Sequence, residues 1–136
     1  MISISQECKT KFTDYKDQIR EVFSTTYILN CHKKGDYKVY EEIFDLPKIA
    51  KIFADDELIF TIEHFLDNNL NLTHAGRSAF MHRNTMIYRV NKVSKITGLD
   101  LKTFKDAQIF SNMLLIFNII KEKKKAEARE FEGFRI

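Results

Sequence analysis

Cysteine, glycine and proline are scarce in this 136-residue chain, and tryptophan is absent from it. The two cysteines, Cys8 and Cys31, form no CxxC pair, which argues against a disulfide framework and favours a reducing compartment. Four glycines and one proline leave few breaks, so the composition favours helices. No apolar run reaches the ~20 residues that cross a bilayer, and no secretory signal is visible. We therefore expect a cytoplasmic protein without a membrane-spanning segment.

Motifs of catalysis and of metal binding are missing as well. A structural zinc site needs about four ligands at short spacings. Cys31 and His32 are neighbours, but Cys8 and the other histidines fall in different predicted elements. The chain has no Ser-His-Asp order, no Gly-rich phosphate loop and no His-Glu-x-x-His motif. We expect neither an enzyme nor a bound metal or cofactor.

Positive charge is concentrated in one stretch, although the formal net charge is only +3. Residues 73–105 contain seven basic side chains and one acidic side chain, Asp100, so this segment carries +6 and the rest of the chain −3. Such a patch is typical of proteins that bind the phosphates of nucleic acids. A solvated basic face without a partner is the alternative that charge alone leaves open.

The stretch that begins at Met81 predicts a helix with one buried and one exposed face. Met86, Val90 and Val93 recur at helical spacing, which indicates the buried side. The other face and its flank carry side chains suited to contact DNA: Arg83, Asn84, Thr85, Tyr88, Arg89, Lys92 and Lys95. The pattern predicts a recognition helix that starts near Arg83 and ends at Gly98, a residue that favours the left-handed conformation after a helix.

These side chains are expected to play different roles. Arg83 and Asn84 lie in the first turn, where base edges are met, with helix capping as the alternative. The side chains expected to contact phosphates are Thr85, Arg89, Lys92 and Lys95. The Tyr88 ring either packs on the DNA backbone or covers the junction of the two preceding helices. His82 is interpreted as a turn or cap residue and not as a ligand.

The rest of the chain predicts further helices and a short strand. Residues 4–24 form an amphipathic pattern that includes Phe12. Residues 25–29 are either a strand or the end of that helix, residues 30–36 a loop, and residues 37–40 a short strand. The helices expected after it start at Asp45–Pro47, at Asp55 and at His74, the last with Thr73 as its cap.

The last predicted helix runs from about Phe104 to beyond Lys121 and is apolar over most of its circumference. Such a helix is buried on several sides. We expect that one subunit cannot cover all of it, and that Phe110, Leu114, Phe117 or neighbouring residues of this helix meet a second copy in a homodimer.

Two strings carry a family resemblance: His82-Arg83-Asn84-Thr85-x-x-Tyr88-Arg89, and Thr97-Gly98-Leu99-Asp100-Leu101. With them, residues 56 to about 120 resemble the C-terminal helix-turn-helix of the PucR/CdaR family of purine-catabolism and sugar-diacid regulators. The resemblance implies a mainly α, Fis-like helix-turn-helix bundle with an N-terminal helix and a short β-strand or hairpin. It also implies a transcription regulator that binds double-stranded DNA in a sequence-specific way.

A weaker likeness extends upstream. Residues 12–20 and 39–46 look like the last helix and strand of the sensor-side domain that precedes the helix-turn-helix in that family. Since nothing precedes Met1, we expect the sensing region to be missing and predict no small-molecule effector. The expected organisation is an N-terminal arm (1–54), a helix-turn-helix domain (55–121) and a charged C-terminal extension (122–136). The arm is expected to fold back on the domain or to be exchanged between subunits.

The chain departs from the family pattern at two positions. The family prefers Ala where this chain has Gly76, and Leu where it has Ala79. Glycine costs about 1 kcal/mol relative to alanine inside a helix, and we expect Phe80 or Met81 to fill the volume that Ala79 leaves. Weaker support for the recognition helix keeps a second interpretation open. In it, the chain is a truncated interaction module that dimerises with or antagonises full-length regulators without binding DNA strongly.

Overall fold

A computed structural model describes residues 15–133, with side chains described to residue 130. Within this range the chain consists of helices joined by short turns, and no strand occurs. In chain order the helices are α1 Tyr15–Val22, α2 Thr25–Lys34, α3 Lys38–Asp45, α4 Pro47–Ala54, α5 Asp56–Asp67, α6 Leu72–Ser78, α7 Arg83–Thr97 and α8 Phe104–Gly133. The predicted mainly α fold is confirmed. The parts of the predictions that concern Cys8, Phe12 and residues 134–136 lie outside the described residues.

The strand predicted over residues 37–40 is wrong, because these residues begin α3. Tyr40, Ile43 and Phe44 are buried on one face of that helix. Their spacing of three and four residues is the helical period, which a window of four residues was too short to show. Burial of this face outweighs the strand preference of Val39 and Tyr40.

Residues 25–29 and most of the predicted loop 30–36 also form a helix, α2. Ser24 separates it from α1, and the Ser24 hydroxyl accepts a hydrogen bond from the Tyr27 backbone N–H at 3.4 Å. The helix ends where Gly35 takes a φ of 65°, a left-handed conformation that glycine adopts without a steric penalty. The chain therefore turns at Ser24 and Gly35 and has no hairpin there.

The helices that lead into the basic segment start close to their predicted positions. Pro47 opens α4, and the Asp55 carboxylate caps α5 by accepting the Leu58 N–H at 3.1 Å. The cap of α6, however, is Asn71 and not Thr73: the Asn71 side-chain oxygen accepts the His74 N–H at 2.9 Å. The helix therefore begins at Leu72, two residues before the predicted start.

One hydrophobic core joins the upstream helices to the basic segment. It contains Ile19, Val22 and Phe23 from the start of the described chain, together with Val90 and Phe110. The Asn112 side chain is buried in this core and donates to the Phe23 carbonyl at 2.9 Å. The described part of the predicted arm therefore packs on α8 within the chain. Exchange of the arm between subunits stays a prediction.

The side chains expected to form a dimer interface on α8 are largely covered within the chain. Phe110 is fully buried. The Phe117 ring lies 5.2 Å from that of Phe44 and 4.9 Å from that of Phe53, and Leu114 is half-buried against the core. Phe110 is therefore not available to a second copy, because the fold covers it. Contact of Leu114, Phe117 or their neighbours with a second copy remains a prediction.

Candidate nucleic-acid interface

Helices α6 and α7 are joined by a turn over residues 79–82 in which the two backbones come close together. The Met81 N–H donates to the Gly76 carbonyl at 2.8 Å. A Cβ built on Gly76 would lie 2.9 Å from the Met81 carbonyl oxygen. Glycine therefore fits the turn in this chain, and its departure from the family pattern follows from the close approach of Met81.

Phe80 lies in the same turn with its side chain in solvent. Its φ is 52°, which is unusual for an aromatic residue, and the residue is 99% exposed. Phe80 therefore does not fill the volume beside Ala79, which was one of the two expectations for that volume. Met81 is the residue that packs against the core, with its sulfur 3.9 Å from the Thr61 hydroxyl oxygen.

Helix α7 has the bounds and the two faces that its sequence predicts. Met86, Val90 and Val93 are fully buried. The side of α7 away from them is exposed and carries Asn84, Tyr88, Asn91, Lys92 and Lys95. We call these five residues the exposed face of α7. Gly98 follows with a φ of 77° and ends the helix, as predicted.

The first turn of α7 leaves two candidate base-reading side chains available. His82 precedes the helix, and its Nδ1 atom accepts the Asn84 backbone N–H at 3.0 Å, so His82 is the cap. Arg83 and Asn84 are exposed, and among the described residues neither side chain forms a hydrogen bond or ion pair. Capping, the alternative role for Arg83 and Asn84, therefore belongs to His82.

The remaining predicted contacts differ in exposure. Tyr88 is 66% exposed, so its ring does not cover the junction of the preceding helices. Lys92 and Lys95 are exposed, whereas Thr85 is half-buried. Contact of these side chains with DNA remains a prediction.

Arg89 is engaged within the fold. Its Nη1 atom donates to the Thr61 hydroxyl at 2.9 Å, and its Nη2 atom lies 3.4 Å from a Glu57 carboxylate oxygen. Both partners belong to α5, so Arg89 joins α7 to α5. The sequence predicts a phosphate contact for Arg89, because no local pattern indicates its partners 28 and 32 residues away.

Helix α1 holds the other end of α7. The Tyr15 hydroxyl donates to the Ile96 carbonyl at 2.7 Å, and the Arg20 Nη2 atom donates to the Gly98 carbonyl at 2.7 Å. A Cβ on Gly98 would lie 2.8 Å from the Lys16 Cβ atom, so the two segments are in direct contact. Carbonyls at a helix end have no partner inside the helix, and here donors from α1 supply one.

The same arginine forms a two-point ion pair with Asp106 in the first turn of α8. Its Nε and Nη2 atoms lie 3.1 and 2.9 Å from the two carboxylate oxygens. One of these oxygens also accepts the Asp100 backbone N–H at 2.7 Å. The hydrogen bonds from Arg20 lower the pKa of Asp106, and those to Asp106 raise the pKa of Arg20. Arg20 thereby joins α1, the end of α7 and the start of α8.

Two lysines outside the basic segment 73–105 lie beside the exposed face of α7. Lys48 and Lys51 of α4 line a cleft together with Lys92 of α7. Helix α4 lies outside the segment 73–105. The spacing of three residues between Lys48 and Lys51 places both lysines on one side of this helix. Within residues 15–133, no cluster of three or more potential ligands could hold a metal ion, and no helix has the length and apolar character needed to span a membrane.

Comparison with known proteins matches this region to a described family. The model of the PucR C-terminal helix-turn-helix domain matches residues 58–115, from α5 into α8. The proline-responsive transcriptional activator PutR of Bacillus subtilis is 28% identical over 92 residues, which are 66% of this chain and 22% of that protein. The carbohydrate diacid regulator of Escherichia coli is 32% identical over 73 residues, 54% of this chain and 19% of that regulator.

The chain thus spans about a fifth of the length of the curated relatives that it matches. No solved structure gives a significant match. The family match covers the helices whose turn, buried face and exposed face are described above, and both regulators named belong to the family that the two sequence strings resemble. Residues 58–115 of this chain therefore match the PucR C-terminal helix-turn-helix domain.

Proposed function

We propose that the protein is a sequence-specific, non-enzymatic transcription regulator that binds double-stranded DNA in the cytoplasm, with α7 in the major groove. The observation that carries this proposal is the exposed face of α7, which lies opposite a fully buried one. A helix held from behind by its core and presenting polar and basic side chains is suited to this groove. The names of the relatives, a transcriptional activator and a regulator, support the same class.

Within this proposal the side chains divide into three groups. Arg83 and Asn84 read base edges, since arginine suits the acceptors of guanine and asparagine suits adenine. The side chains that contact the DNA backbone are Thr85, Tyr88, Lys92 and Lys95. Arg89 positions α7 through Thr61 and Glu57, and it reaches a phosphate only if those contacts open.

The test is selection of bound duplexes from a random DNA pool, followed by titration at several salt concentrations. We expect one sequence motif to be enriched. If about six phosphates are neutralised, log K should fall with log salt with a slope near −5. The rival function is an interaction module that dimerises with or antagonises full-length regulators. Absence of any enriched sequence, together with salt-independent or undetectable duplex binding, would favour that rival.

Single substitutions distinguish side chains that read bases from side chains that contact phosphates. Arg83→Ala should relax the selected motif at one base position, whereas Lys92→Ala should weaken binding to every duplex alike. Arg129→Ala, an exposed arginine on the charged part of α8, is the matched control and should leave both properties unchanged. If Arg83→Ala and Arg129→Ala select the same motif with the same affinity, Arg83 does not read bases.

We propose further that the protein acts as a homodimer on two half-sites, because symmetric helix-turn-helix proteins bind operators of matching symmetry. The support is an uncharged stretch of α8, residues 107–120, whose outward side includes Leu115 at 54% exposure. Depletion of charge is typical of the centre of protein interfaces. Light scattering should give twice the monomer mass, and the selected motif should be a palindrome. A monomer at micromolar concentration that selects a single half-site would exclude the dimer.

A further inference from the structure

A concave basic surface lies between α4 and α7, beside the exposed face of α7. This cleft of about 270 Å³ is lined by Lys48 and Lys51 from α4 and by Lys92 from α7. Ile52 and Leu58 are buried beneath it and give it an apolar floor. The cleft thus combines a fixed shape with three exposed ammonium groups.

The lining of the cleft contains three ammonium groups and one carboxylate. Asp55 is the single carboxylate in the lining, and one of its oxygens accepts the Leu58 N–H. Across residues 15–133 none of the three lysines is in an ion pair. Like charges gathered in one cleft repel one another and attract an anion from solution.

The position of the cleft identifies the anion. On a helix, Lys92 and Ile96 lie one turn apart on the same side, and both line the cleft, so it opens along one edge of the exposed face of α7. Helix α6 contacts the other end of α7, where Gly76 lies opposite the backbone of Arg83. A helix in the major groove has a sugar-phosphate backbone on each side, so a basic cleft along one edge faces one of them.

We propose that Lys48, Lys51 and Lys92 together hold a backbone phosphate of the bound DNA. This inference rests on the proposed function and extends the DNA interface onto α4, outside the residues 58–115 that match the family model. Lysine acts on phosphate as a point charge, so the cleft fixes where the protein sits along the duplex and does not read the sequence. The apolar floor places the ammonium groups at the rim, where a phosphate on the DNA surface can reach them.

The test uses the full chain with Lys48→Gln and Lys51→Gln combined, and the duplex selected by the wild-type protein beside a random duplex. Loss of the phosphate contact that the cleft makes should render the slope of log K against log salt shallower by about 1 per bound subunit, on both duplexes equally. The matched control combines Lys33→Gln and Lys34→Gln, which remove the same charge from exposed positions at the end of α2. Its slope should equal that of the wild type.

The outcomes separate the two proposals. If the wild type binds DNA and the Lys48/Lys51 variant keeps its slope, the cleft does not contact DNA, while the proposed function stands. If the wild type shows no salt-dependent duplex binding, the proposed function fails and the cleft proposal fails with it. If the control lowers the slope as much as the cleft variant does, the effect is one of net charge and the cleft proposal is overturned. Circular dichroism checks that each variant is folded, and exposed lysines are expected to change stability little.

Discussion

Replacement of Arg20 by methionine tests how the C-terminal end of α7 is supported. The guanidinium of Arg20 binds the Gly98 carbonyl and both oxygens of Asp106, so it contacts the residue that ends α7 and the first turn of α8. Methionine keeps a comparable apolar stem and removes the three charge-assisted contacts. We therefore expect Arg20→Met to destabilise the fold through lost polar contacts, with little change in packing.

The expected loss follows from the exposure of the pair. The Arg20 side chain is 48% exposed, and ion pairs that face water contribute about 0.2–1 kcal/mol. The hydrogen bond to Gly98 adds about 0.5–1.5 kcal/mol. Together they predict a loss of roughly 1–2 kcal/mol. With an unfolding entropy of about 2.1 cal/mol/K per residue, a chain of 136 residues should then melt roughly 3–7 °C lower.

The assay is urea unfolding followed by circular dichroism on four proteins: wild type, Arg20→Met, Asp106→Asn and the double variant. The double-mutant cycle isolates the energy of the pair from the bond to Gly98. Arg129→Met is the control, because Arg129 is exposed on the charged part of α8. The control should unfold at the wild-type urea concentration.

The pH dependence of this cycle has a definite sign. Arg20 lowers the pKa of Asp106 in the folded protein, so the pair stabilises the fold above the ordinary carboxylate pKa, and this stabilisation is lost as pH falls below about 4. The coupling energy should be present at pH 7 and smaller near pH 2.5. Equal coupling at both values, or an Arg20→Met variant as stable as the control, would show that this contact does not hold the end of α7.

Three further substitutions test the core and the turn. Tyr40→Phe removes the donor to the buried Val22 carbonyl, at 2.7 Å, and should cost about 1–2 kcal/mol in urea unfolding; a loss equal to that of the exposed Tyr88→Phe would contradict this. Gly76→Ala should lower thermal stability by about 1–2 kcal/mol despite its better helix propensity, because its Cβ would meet the Met81 carbonyl; a more stable variant would mean that the turn yields freely. Phe80→Gly should raise stability by up to about 1 kcal/mol, since a φ of 52° favours glycine, and any destabilisation would indicate that the exposed ring makes a contact.

The bounds and the two faces of α7 could be predicted because the sequence signals for them are local. Met86, Val90 and Val93 repeat at the helical period, and Gly98 has the conformational freedom that a helix end needs. These signals lie within fifteen residues of one another, so the sequence alone defines both the bounds of α7 and its exposed face. Which of the exposed side chains meet DNA depends on a partner, and no local pattern specifies that.

The upstream helices were less predictable because short windows favoured the wrong element. Residues 37–40 are rich in side chains that favour strands, and the helical period becomes visible only when Ile43 and Phe44 are included. In the turn before α7 the difficulty is different. The family likeness suggested that Gly76 weakens the support of α7, whereas the approach of Met81 makes a larger side chain unfavourable there.

The contacts that fix α7 in space join residues that are far apart in the chain. Arg89 meets Thr61 across 28 residues, and Arg20 meets Asp106 across 86. Neither pair leaves a period or a spacing in the sequence, so the sequence alone does not show that these two arginines are engaged within the fold. In the folded chain their side chains are engaged, while Lys48 and Lys51, outside the counted segment, have no ion pair within the described residues. The basic side chains that face solvent therefore include residues outside the segment that is basic in sequence, because the fold uses some basic side chains to position α7 and leaves others exposed.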